Sequence, residues 1–273
     1  MALLAEIWEF TRVDLARLLR SGKGLVLLLL YGLVETAGGV VFAMLARSEA
    51  GQVLNSGVLQ SFAAGADSDL AARLHQIPVP ILFAYWFTLL VMPVLVLLMG
   101  FDQISGELST RSVRYLAFRS RRVSFTLGKA LAQVLALFGL SLCANVVVLL
   151  FTLFGGTVIP LGTAVFWLVV LWLLSVVYGL AYVALVAFVS SLSRVPFLSL
   201  VAGAVALVAM GITELLGRWY DAFHVVAYAL PGTYSSGLVS PHPSTALGAI
   251  GALLAFTAVL LSAAVAVVRT RDL

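Results

Sequence analysis

Hydrophobic positions in this chain gather into six long runs, at about 24–46, 78–100, 130–154, 162–189, 197–217 and 246–268, each bounded by charge, proline or glycine. A helix needs about 20 apolar residues to cross a bilayer, so each run is long enough to do so. The pattern predicts an all-α membrane protein with one transmembrane domain over residues 1–273. Pro78 and Pro80 stand where a helix begins, and Pro93 inside the second run should bend it. Residues 1–22 follow a different pattern. At 100° per residue Leu4, Ile7, Trp8, Leu15, Leu18 and Leu19 share one side, with Glu6, Glu9, Asp14, Arg17 and Arg20 largely opposite. This predicts an amphipathic helix lying on the membrane surface, against anionic lipid. Phe10 and Val13 fall on its polar side, where a protein partner would cover them.

Composition excludes a water-soluble core. The chain is 62% hydrophobic and 10% charged, with a mean hydropathy of +1.12, far from soluble usage. Its net charge of +4 reports topology rather than nucleic acid. Arg12, Arg17, Arg20, Lys23, Arg111, Arg114, Arg119, Arg121, Arg122, Lys129, Arg194, Arg269 and Arg271 fall on one side, leaving Arg47, Arg73 and Arg218 opposite. The positive-inside rule then makes both termini and the loops near 101–129 and 190–196 cytoplasmic, in a multi-pass inner-membrane protein. Glu6, Glu9 and Asp14 interrupt the basic start, which argues against a cleaved signal peptide. The single Cys143 allows no intrachain disulfide and reads as packing.

The connection from Phe101 to Lys129 carries the densest pattern. Asp102, Gly106 and Glu107 open it, followed by Arg111, Arg114, Arg119, Arg121 and Arg122, with Val113, Leu116 and Ala117 on one face of a short surface helix. Composition alone also fits a basic loop that serves only orientation. The order Met92-Pro93, Asp102, Gly106-Glu107, Arg121-Arg122 and Leu127-Gly128-Lys129 resembles the permeases of type 2 ABC exporters, especially the small six-span subunits of the nitrous-oxide-reductase maturation type. Leu230-Pro231-Gly232-Thr233-Tyr234 is similar to that family's outer re-entry segment. Arg111-Ser112 and Ser120 stand where the family carries Gly-Thr and a proline. The resemblance implies that Asp102, Gly106, Glu107, Arg111, Arg114, Arg121 and Arg122 form a coupling helix against a cytoplasmic ABC ATPase in two copies, joined by the amino-terminal helix. It also implies a second permease copy, with an extracytoplasmic accessory protein as a further candidate partner.

The residues agree on one point independently. Gly22-Lys23 and Gly128-Lys129 lack the remaining glycine and the Ser/Thr of a phosphate loop. The chain is therefore expected to be no enzyme and to hold no cofactor, with ATP and Mg on the partner ATPase. Ionisable residues at membrane depth are functional candidates. Glu35 lies about 12 residues past Lys23, roughly 18 Å deep at 1.5 Å per residue. It either faces a translocation cavity with Asn145 and contacts a cationic or polar substrate, or is a protonated, buried hydrogen-bond donor. Gln133 and Asn145 read as packing glue, and Glu214 with Arg218 as a local ion pair. His75, His224 and His242 lie in outer segments without ligand spacing, so no metal is expected. The alternatives to an exporter are a mechanical membrane platform for an outer partner and an ion-coupled carrier using Glu35.

Overall fold

The computed structural model describes residues 3–45, 77–109, 121–154, 160–217 and 219–270. All regular structure there is helical: α1 Leu3–Arg20, α2 Gly22–Leu45, α3 Val79–Gly100, α4 Ser105–Ser109, α5 Arg122–Phe154, α6 Leu161–Leu192, α7 Pro196–Gly217, α8 Asp221–Ala227 and α9 Pro243–Thr270. Two 3₁₀ turns, Pro231–Tyr234 and Gly237–Val239, precede α9. Among the described residues five helices, α3, α5, α6, α7 and α9, are long and apolar enough to cross a membrane. The first of the six expected spans, α2, is a 24-residue helix whose charged residues are Lys23 and Glu35; it is about 36 Å long.

Helices α3 and α6 form the centre. The first packs on α2, α5, α6 and α7, and the second adds α9. Tyr85, Met92 and Val96 of α3 meet Leu171, Val183 and Val186 of α6, Leu137 of α5 and Leu253 of α9 in one apolar cluster. Helices α7 and α9 are the least buried of the five, and α7 turns Leu198, Val201, Val205, Val208 and Ile212 outward. An aliphatic face of that kind suits lipid or another apolar protein surface.

Several boundaries and faces differ from expectation. α5 begins at Arg122, eight residues before its apolar run, because the polar groups of that extra turn are met by α1, α4 and α9. The connection between α7 and α9 contains α8 and both 3₁₀ turns. Cys143 is exposed rather than packed; it lies on an outer stripe of α5 with Gly139, Val146 and Leu150.

Where α3 ends, three helices crowd together. A Cβ on Gly100 would stand 2.6 Å from Gln133 Nε2 and 2.8 Å from Val186 Cγ1, and Gln133 donates from Nε2 to Val96 O at 2.6 Å. Gly100→Ala is expected to dislodge that amide and cost about 1–3 kcal/mol, lowering the thermal midpoint in detergent. Gly211→Ala, at a site where no described atom beyond its own helical turn lies within 4 Å of the new carbon, should not lower it.

Candidate functional site

At the end of the bundle that carries α1, three helices meet on one ammonium group. Lys129 Nζ, on α5, donates to Glu107 Oε1 of α4 at 3.0 Å and lies 2.8 Å from Asp14 Oδ2 of α1. The second contact is ionic rather than an aligned hydrogen bond. Arg17 Nη1 donates to the same Glu107 Oε1 at 2.8 Å and stands 3.4 Å from Asp14 Oδ1. The Lys129 side chain is 4% exposed and that of Asp14 10%, so these charges depend on one another rather than on water. The hydrogen bond to Glu107 makes the Arg17 guanidinium hold its proton more firmly than usual. A second pair, Lys23 with Asp102 at 2.8 Å, is 40% exposed at both ends and contributes little by itself. Together these charges ring a cavity of about 440 Å³ floored by Leu18, Leu27 and Met99.

The sequence dictates this junction through small residues as much as charged ones. A Cβ on Gly128 would meet Phe10 Cβ at 2.5 Å and Ile7 O at 3.0 Å; glycine lets α1 lie directly on α5. Thr11 Oγ1 donates to Gly128 O at 3.2 Å, and Phe10 packs edge-on against Phe125. Glu6 Oε2 accepts from Ser124 Oγ at 2.8 Å and from Arg121 N at 3.4 Å, occupying the amino terminus of α5. The Ser124 hydrogen bond, aided by the Arg121 N–H, holds the Glu6 carboxyl below its ordinary range. Asp14, expected on the polar outer side of α1, is instead buried because Lys129 and Arg17 meet it there. The side left outward carries Leu4, Trp8 and Leu19.

The turn 101–105 is held by α6. Ser190 Oγ accepts from Ile104 N at 3.2 Å and Ser105 N at 3.1 Å and donates to Phe101 O at 2.9 Å, which saturates a hydroxyl. Gln103 Nε2 donates to Lys129 O at 3.0 Å. Arg122 Nη1 donates to Arg269 O at 2.7 Å and Val268 O at 3.2 Å, satisfying terminal carbonyls of α9.

Of the expected coupling residues, Asp102, Gly106 and Glu107 thus line the cavity, while Arg121 and Arg122 anchor the start of α5. Arg111 and Arg114, with Val113, Leu116 and Ala117, lie outside the described residues. Ser190 is a site residue that the sequence did not single out, and Asp14, Arg17 and Lys129, named there for the amphipathic pattern and the Gly-Lys motif, were not expected to meet in one cluster. The Leu127-Gly128-Lys129 motif held one signal, a glycine beside a lysine at a helix start.

A second polar cluster lies midway along the bundle. Glu35 of α2 is fully buried; its Oε1 accepts from Thr88 Oγ1 of α3 at 2.8 Å and Asn145 Nδ2 of α5 at 3.2 Å. Asn145 also donates to Ser141 O at 2.9 Å, and Tyr31 OH lies 3.4 Å from Thr88 Oγ1. The two expected cavity residues, Glu35 and Asn145, are therefore in contact and enclosed. Glu214 Oε1 accepts the Gly232 N–H at 2.9 Å, tying α7 to the Pro231–Tyr234 turn; Arg218 lies outside the described residues. His224 stands edge-on to Tyr228, and among the described residues no three His, Cys, Asp or Glu side chains form a metal site.

Residues 8–220, more than three quarters of the chain, match the profile of the ABC-2 family transporter protein. Among curated proteins, none matches the chain significantly. The profile covers α1 from Trp8 onward, the Asp14–Glu107–Lys129 charges, the Glu35 cluster and all the long helices except α9. The family's multi-pass membrane proteins are permease subunits of ABC transporters and pair with an ABC ATPase subunit. On this evidence the chain belongs to the ABC-2 family of transporter membrane proteins.

Proposed function

We propose that this permease is the membrane half of an ATP-driven exporter, moving its substrate out of the cytoplasm or inner leaflet by alternating access. In this reading the chain sits in the inner membrane with both termini cytoplasmic, α2 as its sixth span, and pairs with a second permease copy. A separate ATPase dimer holds ATP and Mg and supplies the work; the chain itself is no enzyme. The observation that carries the reading is the junction at Lys129. Asp14, Arg17, Glu107 and Lys129 bind α1, the turn after α3 and the base of α5 into one block. A push on residues 102–109 is thereby delivered to a spanning helix. Among type 2 exporters, the order of Asp102, Gly106-Glu107 and Leu127-Gly128-Lys129 favours the small six-span subunits of the nitrous-oxide-reductase maturation type.

Affinity purification from native membranes tests the pairing. The chain is expected to retain an ABC ATPase that hydrolyses ATP in the eluate, and Glu107→Gln is expected to leave hydrolysis running while export falls. A chain that retains no ATPase from native membranes overturns the reading. One observation favours a second reading, a mechanical platform acting on an extracytoplasmic partner: Glu35 and Asn145 are packed inside the protomer rather than beside an open cleft. A tightly bound outer protein with no transported solute would decide for it. An ion-coupled carrier would instead transport under a proton gradient without any ATPase.

A further inference from the structure

Glu35 presents an unequal pair of oxygens. Oε1 accepts two hydrogen bonds, from Thr88 and Asn145, whereas Oε2 is buried with no hydrogen-bond partner among the described residues. The groups that face the carboxylate are the Tyr31 phenol, one turn back on α2, the Thr88 hydroxyl of α3, and the Asn145 amide beside the Ser141 hydroxyl of α5. None carries a formal charge at neutral pH. An ionised carboxylate held among neutral dipoles at membrane depth, with one oxygen bare, is too costly to persist.

We infer that the junction of α2, α3 and α5 is a binding site for one monovalent positive charge, taken at Glu35 Oε2. Two sources share that chemistry: a proton, which makes a neutral carboxylic acid, and an alkali cation held by hard oxygens such as the carboxylate and the neighbouring hydroxyls. Two donors on Oε1 leave Oε2 as the atom that takes the charge in either case. Because the site is closed by three different helices, the packed arrangement binds the charge and a separated arrangement releases it to water. The charge therefore acts as a ligand of the packed state, and raising its concentration stabilises that state by mass action.

The test uses the full chain in detergent, with infrared spectroscopy and thermal unfolding in choline chloride or sodium chloride at matched ionic strength and near-neutral pH. In choline, wild type is expected to show the carbonyl stretch of a protonated carboxylic acid, and Glu35→Gln to lack it. If the band survives in sodium, the proton is the occupant. If sodium abolishes the band and raises the unfolding midpoint, the alkali cation is. In the proton case the wild-type midpoint is expected to rise by several degrees relative to Glu35→Gln on acidification, since the amide needs no charge. Absence of the band in wild type in choline overturns the inference. Thr88→Val, which removes one donor from Oε1 and leaves Oε2 intact, is expected to keep the band, so the site remains testable even if Glu35→Gln fails to fold.

Discussion

Lys129→Met is expected to be the most damaging single substitution at the α1 end of the bundle. Methionine keeps the unbranched bulk but removes the one cation that both Asp14 and Glu107 approach within 3.0 Å. Arg17 remains, 2.8 Å from Glu107 and 3.4 Å from Asp14, yet its side chain is 63% exposed and water screens much of its charge. Removing one partner of a buried ion pair costs on the order of 3–5 kcal/mol, and the surviving arginine puts this case at about 3. The thermal midpoint should fall by roughly 6–12 °C. Adding Asp14→Asn and Glu107→Gln removes the stranded charges and should recover part of the loss, with a coupling of about 1 kcal/mol or more in a double-mutant cycle. An unchanged midpoint for Lys129→Met would show that the cluster contributes nothing.

Gly128→Leu attacks the same junction without touching a charge. The new side chain would enter the space held by Phe10 Cβ and Ile7 O, and neither can yield without α1 moving as a whole. Overpacking of this size costs about 1–3 kcal/mol, enough to raise hydrogen exchange in α1 about tenfold to a hundredfold. Exchange in α6 and α9 should be unaffected, because the clash concerns only the seat of α1. Gly139→Ala, where no described atom beyond its own helical turn lies within 4 Å of an added carbon, is the matched control. Retention of the partner ATPase by Gly128→Leu measures whether α1 is part of that contact.

The apolar runs made the long helices legible, since a bilayer leaves the backbone few alternatives to helix. Boundaries and faces were less legible. The extra turns of α5 contain Arg122, Ser124 and Lys129, which hydropathy reads as loop, and only their partners on α9, α1 and α4 make them helix. The face of α1 was misread at Asp14 because periodicity assigns a carboxylate to water, whereas Lys129, remote in sequence, supplies a buried countercharge. Glu35 and Asn145 were marked as ionisable and polar groups in apolar runs, but their mutual contact depends on how α2 and α5 rotate against each other. Nothing in either segment alone encodes that rotation. Ser190, one serine in an apolar run, carried no local signal for the three backbone groups it holds.

The docking of α1 also bears on how the chain is made. Its hydrogen-bond partners Ser124 and Gly128 lie 118 and 117 residues beyond Glu6 and Thr11. At about 5–20 residues per second of synthesis, the first helix spends roughly 6–23 s with no seat. During that interval Leu4, Trp8 and Leu19 can rest on the membrane, while Asp14 and Arg17 stay near water. Assembly of the junction is therefore a late event in biogenesis, timed by emergence of α5, and a chain stalled before residue 122 would carry a surface-bound amino terminus with its acidic side still unclaimed.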